Sequence, residues 1–416
     1  MKTAGVRKFI AVAIVLFAAF QMACAYLSSP KYFTSSAFGF DLQLRHAESC
    51  CAHQGVNSFR VWSCETTLPG FAPLWRPGFE VPPRQPGDAI VSYYPPWHTA
   101  MFWFYGWLSK TGCLVLMSVV FFLCLAFDAF ECARLLKARS EYDGLAVGFA
   151  FASIAFAAFD CIGVLNYGVL ILTMFFLMNR ALEKGHDVLA GLCWAVMMIK
   201  PQLGLLFCWP LFWHRRYLTI VVATAVCVAA MMVTAGVVHE SPVDLLRQIQ
   251  EIGKPYGMGG IARIVGEPFF GEHAPAVVMS AFFVLTGVAT WFFRKNRDFL
   301  VSCVPVMLVL PVWAYNKTHD GVMMLPVLLL VAGRMFASRR LDRWTLIGCA
   351  CCVTAVLSSG WTAVTGMGLV AGPLADRVRL ALKLLTLVPL AAFLSLLALD
   401  ELKQKLNTKD NGEILK

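Results

Sequence analysis

Apolar stretches with almost no charge recur along the chain and alternate with short polar segments. A helix needs about 17–25 consecutive, mostly apolar residues to cross the hydrocarbon core of a bilayer. Stretches near this length lie at about Phe9–Leu27, Cys113–Leu135, Leu145–Phe159, Val164–Met178, Leu218–Val238, Ala274–Phe293, Phe299–Tyr315, Gly321–Phe336, Trp344–Leu357 and Arg379–Leu399. The pattern predicts an all-α fold, a polytopic bundle of transmembrane helices.

Two shorter apolar pieces, about Val188–Ile199 and Leu203–Trp213, are separated by the sequence Lys-Pro-Gln at 200–202. Each piece is too short to cross a bilayer comfortably by itself. Because a proline interrupts helical hydrogen bonding, they predict a hairpin or a broken helix that dips toward the outer face. With both chain ends inside, we expect about 11–13 spans, and about twelve if this pair makes two crossings.

Basic residues cluster at alternate ends of these stretches, in RLLKARSEYD, NRALEKGHD, HRRY and RKNR. Loops rich in Lys and Arg stay in the cytoplasm. We therefore predict a single membrane domain of residues 1–400, followed by a polar cytoplasmic tail at 401–416. Within the domain, residues 28–96 form a long first outer loop and residues 97–110 an aromatic amphipathic helix at the membrane interface. The N-terminal apolar stretch is an uncleaved first helix or a cleaved signal peptide, and both place the loop outside.

Composition agrees with a membrane protein and argues against a nucleic-acid partner. Charged residues make up 14% of the chain, against about 25% in soluble domains. We assign the net charge of +10 to cytoplasmic loops, because the basic residues lie between apolar stretches. No spacing of cysteine with histidine fits a zinc site, and we expect neither a metal nor a cofactor. Cys50, Cys51 and Cys64 lie in the outer loop and leave a disulfide open.

Polar side chains near the outer ends of the predicted spans are the candidates for chemistry. They are Asp41 and Arg45 in FGFDLQLRHAE, Tyr94 in SYYPPW, Asn166 in GVLNYG, Lys200 and Gln202 in IKPQ, and His319 in YNKTHDG. A lysine beside irregular backbone suits an anionic phosphate, and a histidine beside an aspartate suits proton transfer. The structural alternatives are a solvated salt bridge between Asp41 and Arg45, a helix cap at Asn166, a snorkelling Lys200 and a plain connecting loop around His319.

Taken in order, these motifs resemble glycosyltransferase family 87, polytopic enzymes of the GT-C class. An aspartate lies in the first outer loop (FDLQLRHAES), YYPP leads into an aromatic helix, and GVLNYG opens a helix. AGLCWAVMMIKPQLGLLF is similar to the Lys-Pro-Gln segment of the family, and LPVWAYNKTHDGVMMLPVLLL to its late segment with proline, tryptophan and histidine. The resemblance covers about residues 10–335, and the chain departs from the family at Tyr167, where a glutamine is common.

The resemblance implies an inverting hexosyltransferase that moves a sugar, typically mannose, from a polyprenyl-phosphate donor to a lipid or glycan acceptor. It implies Asp41 as the catalytic base, with His319 as its assistant or the second candidate. The residues that would bind the donor phosphate or substrate are Lys200, Gln202, Arg45, Asn166 and Tyr94. Such an enzyme would lie in the plasma (inner) membrane, with its active site facing the periplasm or the cell exterior.

A membrane transporter or lipid flippase, and a non-catalytic assembly subunit, are the alternatives. A transporter places its polar residues near the bilayer midplane, whereas an enzyme of this kind gathers them at one outward-facing cavity. An assembly subunit needs no tight cluster. The enzyme hypothesis therefore requires Asp41, Lys200 and His319 to share a cavity, with Asp41 within ~20 Å of Lys200.

Overall fold

The computed structural model describes residues 40–58, 94–137, 165–253, 269–296, 298–313, 322–327 and 329–330, together with isolated positions between 378 and 399. These residues form helices and turns, and there is no strand among them. The predicted all-α fold is thus confirmed for this part of the chain. The predicted spans at Phe9–Leu27, Leu145–Phe159 and Trp344–Leu357 lie outside it.

The helices follow one another with short connections. In chain order they are α1 Phe40–His53, α2 Pro96–Met101, α3 Lys110–Lys137, α4 Gly168–Glu183, α5 Asp187–Met197, α6 Pro201–Gly204, α7 Cys208–Trp213, α8 Tyr217–Val237, α9 Pro242–Gly253, α10 Ala274–Phe292, α11 Phe299–Ser302 and α12 Val304–Trp313. Short 3-10 turns occupy Trp103–Trp107, Leu205–Phe207 and Gly271–His273. Proline stands in the first turn of α2, α6 and α10, where the N–H that it lacks has no helical partner to lose.

Helices α3 and α4 lie side by side and run in the same direction. Phe121 of α3 contacts Tyr167, just before α4 begins, with ring centroids 6.4 Å apart. Further along both helices, Arg180 Nη1 donates to Glu131 Oε1 at 2.9 Å. We call the end of the bundle at Tyr167 the upper end and the end at Arg180 the lower end.

The break at residues 200–202 reverses the chain. Helix α5 begins at the lower end, and after the break α6 folds back onto it: Trp194 Nε1 donates to Gly204 O at 2.9 Å. Helix α7 continues to the lower end, where Arg216 pairs with Asp187 at the start of α5 at 3.4 Å. Of the two arrangements that the sequence left open, the structure forms the hairpin.

Helix α8 runs beside α5 in the same direction, from the lower to the upper end. Thr219 Oγ1 donates to Asp187 O at 3.1 Å near the start of both helices. A Cβ on Gly191 would lie 2.8 Å from Thr219 O, so the two backbones approach closely. At the upper end Thr234 Oγ1 donates to Pro96 O at 2.8 Å, which attaches α2 to the bundle.

Helices α10 and α12 complete the described bundle. Trp213 Nε1 of α7 donates to Gly287 O of α10 at 3.0 Å. At the lower end Ser302 Oγ donates to Phe293 O at 3.0 Å and contacts His214 Nε2 at 2.8 Å. Helix α12 then runs along α10 and contacts α6 at the upper end.

Two helices, Lys110–Leu136 and Tyr217–Val237, are long and apolar enough to cross a bilayer. Both present apolar side chains that nothing in the described residues covers. On α3 these are Val115, Leu116, Val119, Phe122, Leu123 and Phe130, and on α8 they are Val221, Val228, Met232 and Val233. An uncovered apolar face of this length suits contact with lipid.

Three segments differ from the sequence prediction. The predicted interfacial helix at 97–110 is α2 followed by a 3-10 turn, and Lys110 already belongs to α3. In the first outer loop the sequence predicts a short amphipathic element with Asp41 and Arg45 one helical turn apart, and the structure forms the 14-residue helix α1 there. The stretch HESPVDLLRQIQEIG after Val238, which the sequence predicts as another outer loop, contains helix α9, because Leu245 and Ile249, one turn apart, pack against Val238 and Ala52.

Candidate functional site

Helix α1 carries Asp41 into the upper end of the bundle instead of leaving it on a solvated surface. Leu42, Glu48 and Ser49 of this helix are buried, and Ser49 Oγ donates to Phe102 O at 3.3 Å. Helix α1 therefore packs on both sides, whereas an amphipathic element at the interface would leave its polar face exposed. Asp41 itself is half-buried at the first turn of the helix.

Asp41 and Lys200, 159 positions apart in the sequence, meet at one side chain, that of Asn166. Asn166 Nδ2 donates to Asp41 Oδ2. On the other side of the same amide, Lys200 Nζ donates to Asn166 Oδ1 at 2.7 Å. Two hydrogen bonds of about 3 Å each and one amide group place the carboxylate within about 8 Å of the ammonium. The distance between Asp41 and Lys200 is therefore well below the ~20 Å that the enzyme hypothesis allows.

Lys200 points into the protein because the chain turns at this residue. It precedes Pro201, and its own φ of −120° and ψ of 83° are extended, as a following proline favours. Its carbonyl accepts from Leu203 N at 2.8 Å and from Gly204 N at 3.0 Å, so the first turn of α6 holds it. Only 4% of the surface of Lys200 is exposed. A snorkelling lysine would instead extend its ammonium group into water. Gln202 is half-buried in the next turn.

Arg45 lies beside this group and is also buried. Both carboxylate oxygens of Glu48 lie 2.7 Å from Arg45 Nη1. The guanidinium also lies over the ring of Tyr94, 4.3 Å from its centroid, and Lys200 Nζ is 5.9 Å from the same centroid. Tyr94 thus contacts two cations, which aromatic faces attract. The solvated Asp41–Arg45 pair considered from the sequence is replaced by a buried pair of Arg45 with Glu48.

Three buried side chains next to Tyr94 form a hydrogen-bonded chain that the sequence did not predict. His98 Nε2 is 3.1 Å from Tyr167 Oη, and Tyr167 Oη donates to Tyr105 Oη at 3.0 Å. His98 is fully buried. Burial lowers the pKa of His98 well below its usual range, and the charge of Arg45 lowers it further. Tyr167, where the chain departs from the resembled family, is the middle member of this chain.

The lower end carries a different set of charges. Glu131 is almost fully buried and pairs with Arg134 at 2.8 Å and with Arg180 at 2.9 Å. Deeper in the bundle Thr173 Oγ1 donates to Asp128 Oδ1 at 2.9 Å. Glu131, Arg134 and Arg180 lie near the far ends of α3 and α4, so they form a separate cluster from Asp41 and Lys200.

His319 and Cys64 lie outside the described residues. Cys50 and Cys51 are free thiols, and burial raises the pKa of Cys51 to about 12. In the part of the chain that the structure describes, no group of three or more His, Cys, Asp or Glu side chains could hold a metal ion.

Comparison of the chain with protein-family models, with curated proteins and with solved structures gave no match. The chemistry of the residues at the upper end is therefore the basis for a proposed function.

Proposed function

We propose that the protein is an integral membrane glycosyltransferase that moves a sugar, with mannose the first to test, from a polyprenyl-phosphate donor to a lipid or glycan acceptor at the outer face of the membrane. The observation that carries this proposal is the convergence of Asp41 and Lys200 on the Asn166 amide. A carboxylate and a buried cation within about 8 Å can act on one small reacting group.

In this proposal Asp41 is the general base. Its Oδ1 has no hydrogen bond among the described residues, since Asn166 bonds Oδ2. The acceptor hydroxyl gives its proton to this carboxylate, and the acceptor oxygen forms a bond to the anomeric carbon. The bond from that carbon to the phosphate oxygen breaks at the same time, and the polyprenyl phosphate leaves with the electron pair. A single displacement of this kind inverts the anomeric configuration.

Lys200 is the residue proposed to stabilise the leaving phosphate. Charge that develops on a phosphate oxygen is stabilised best by donors that are already in place and shielded from water. Lys200 meets both conditions, because it is buried and held by Asn166. Arg45 lies over the ring of Tyr94, which Lys200 also contacts, and it is paired with Glu48. Gln202 keeps its proposed role as a substrate-binding residue, and His319, outside the described residues, keeps its proposed role as an assisting base.

The charges at the two ends of the bundle give the expected orientation of the candidate site. Asp41 is in the first turn of α1, Asn166 precedes α4, and Lys200 follows α5. The group therefore lies at helix ends, an arrangement that the broken helices at transporter sites share, so the transfer assay distinguishes the two functions. The lower end carries Arg134, Arg180 and further arginines at 215, 216 and 294. By the positive-inside rule this end faces the cytoplasm and the candidate site faces outward.

A transfer assay tests the proposal directly. Purified protein is given polyprenyl-phosphate mannose and a panel of lipid and glycan acceptors, and mannose transfer is measured. We expect transfer by the wild type and a loss of at least about 100-fold in Asp41→Asn, the usual scale of general-base catalysis. Lys200→Gln should lose activity on a similar scale.

The matched controls change the same functional groups elsewhere. Asp244→Asn alters an exposed carboxylate on α9, at the same end of the molecule, and Lys184→Gln alters an exposed lysine at the lower end. Both should keep full activity. An Asp41→Asn variant as active as the wild type would remove the proposed base. Lipid movement across proteoliposomes without any sugar transfer would favour the flippase instead.

A further inference from the structure

We infer that Asn166 is a positioning residue that keeps the base and the phosphate-binding cation one amide apart. This inference rests on the proposed function, and it changes the role of Asn166 from substrate binding to separation of Asp41 and Lys200. The amide lies between the two charged groups and bonds to both. The substrate would then contact the carboxylate and the ammonium, and not the amide.

The orientation of the Asn166 amide follows from the chemistry of its partners. The Lys200 ammonium and the Gly168 N–H can only donate, so the atom that they share must be the oxygen, Oδ1, at 2.7 and 3.0 Å. The Asp41 carboxylate accepts, so it must face the nitrogen, Nδ2. All three contacts require the same orientation of the amide.

The backbone around Asn166 is fixed as well. Leu165 has a φ of +50°, in the left-handed region that a side chain with a Cβ rarely adopts. Both Leu165 and Asn166 are buried, and the bond from Gly168 N holds Asn166 at the first turn of α4. Leu165 keeps this strained conformation because its surroundings fix its position, which also fixes the backbone next to it at Asn166. Asn166 therefore acts as a rigid spacer.

The spacer prevents Asp41 and Lys200 from pairing directly. Attraction between opposite charges is strong in a poorly solvated interior, and the four-carbon stem of a lysine is flexible. A direct pair would occupy an oxygen of the proposed base and a donor of the proposed phosphate site. With Asn166 between them, each group hydrogen bonds to a neutral amide instead of to the opposite charge.

An exchange of the two functional groups tests this inference without an activity assay. Asn166→Asp puts a carboxylate in contact with Lys200 and beside Asp41. The double variant Asp41→Asn/Asn166→Asp restores one carboxylate and one amide in contact, with the hydrogen bond reversed. The probe is undecaprenyl monophosphate in detergent micelles, and binding is measured by calorimetry alongside the melting temperature. Undecaprenol and inorganic phosphate are measured with the same proteins to separate the contributions of chain and phosphate.

We expect Asn166→Asp to bind undecaprenyl monophosphate at least about 10-fold more weakly, because the new carboxylate neutralises Lys200. The exchange variant should recover most of the lost melting temperature and none of the lost affinity, since a carboxylate still lies on Lys200. Affinity for undecaprenol should be the same in all proteins. The chain offers a matched control in Asn179→Asp, because Asn179 is buried on the same helix and donates to Glu183 Oε1 at 2.8 Å. This variant should lose stability and keep its affinity for the probe.

Recovery of both stability and affinity in the exchange variant would overturn the inference, because Asn166 would then be only a structural partner of Asp41. Unchanged affinity in Asn166→Asp would do the same. A wild-type protein that does not bind undecaprenyl monophosphate would overturn the proposed function, and the inference with it. If only the inference fails, the wild-type protein still binds undecaprenyl monophosphate.

Discussion

Burial decides what each charged residue near Asn166 can do. Arg45, Glu48 and Lys200 are each less than 5% exposed, so none of them is a solvated surface charge. Burying charge is costly unless a partner compensates for it. Arg45 is compensated by Glu48, and Lys200 by Asn166 and the nearby Asp41. These contacts offset the cost of burying the charges, and the proposed anionic substrate would share the contacts of Lys200.

The buried His98 makes the stability of the protein depend on pH. Its pKa in the folded state is lowered well below the ordinary value of 6.5, so the unfolded chain binds the proton more tightly. Stability from this residue is present above pH 6.5 and is lost as the pH falls below it, by up to about 1.4 kcal/mol per pH unit. The melting temperature in detergent should therefore decrease between pH 7 and pH 5.

The His98→Gln variant should show a smaller decrease over the same interval, whatever its stability at pH 7. The control is His186→Gln, which changes an exposed histidine between α4 and α5 and should leave the wild-type pH dependence intact. Equal pH dependence in the wild type and in His98→Gln would show that protonation of His98 does not contribute.

At the scale of the element, the break between α5 and α6 brings Lys200 to the site. Sequence reasoning found this break because helix length and proline are local signals. It did not find the burial of α1 or the chain from His98 to Tyr105. Those contacts join residues far apart in the sequence, and only packing brings them together.

Gly204 tests how tightly the reversal is packed. A Cβ at this position would lie 2.8 Å from Met197 O, a backbone atom that cannot easily move. Gly204→Ala should therefore lower the free energy of unfolding by about 1–3 kcal/mol, seen as a lower melting temperature. It should also weaken binding of a lipid phosphate, because Gly204 N bonds to Lys200 O.

Gly236→Ala is the control, since a Cβ there would meet no atom within 4 Å. It lies in α8, where alanine has the higher helix propensity, so its melting temperature should stay the same or rise. If Gly204→Ala were as stable as Gly236→Ala, the fold-back of α6 onto α5 would be looser than the geometry requires.

For the whole molecule, the central property is the orientation of the bundle. Periodicity and charge predicted an all-helical protein with basic residues at one end, and the described helices agree with both. Two of these helices could cross a membrane. The sequence could not show which polar residues meet, because the same outer-end positions fit several arrangements of spans. The meeting of Asp41, Asn166 and Lys200 is a property of the assembled bundle.

Orientation is tested by labelling with a membrane-impermeant maleimide in intact cells. Arg247→Cys introduces a thiol at an exposed position near the upper end, and Lys184→Cys does so at the lower end. We expect Arg247→Cys to be labelled in intact cells, and Lys184→Cys only after permeabilisation, each compared with the wild-type background. The reverse result would place the candidate site in the cytoplasm.

The most direct test of the account is a cryo-electron microscopy structure of Asp41→Asn with polyprenyl-phosphate mannose bound, since this variant should hold the donor without turning it over. We predict a phosphate oxygen within hydrogen-bond distance, about 3 Å, of Lys200 Nζ, and the anomeric carbon between that phosphate and residue 41. A donor phosphate bound at the lower end beside Arg134 and Arg180 would contradict the account, and so would one bound anywhere out of reach of Lys200.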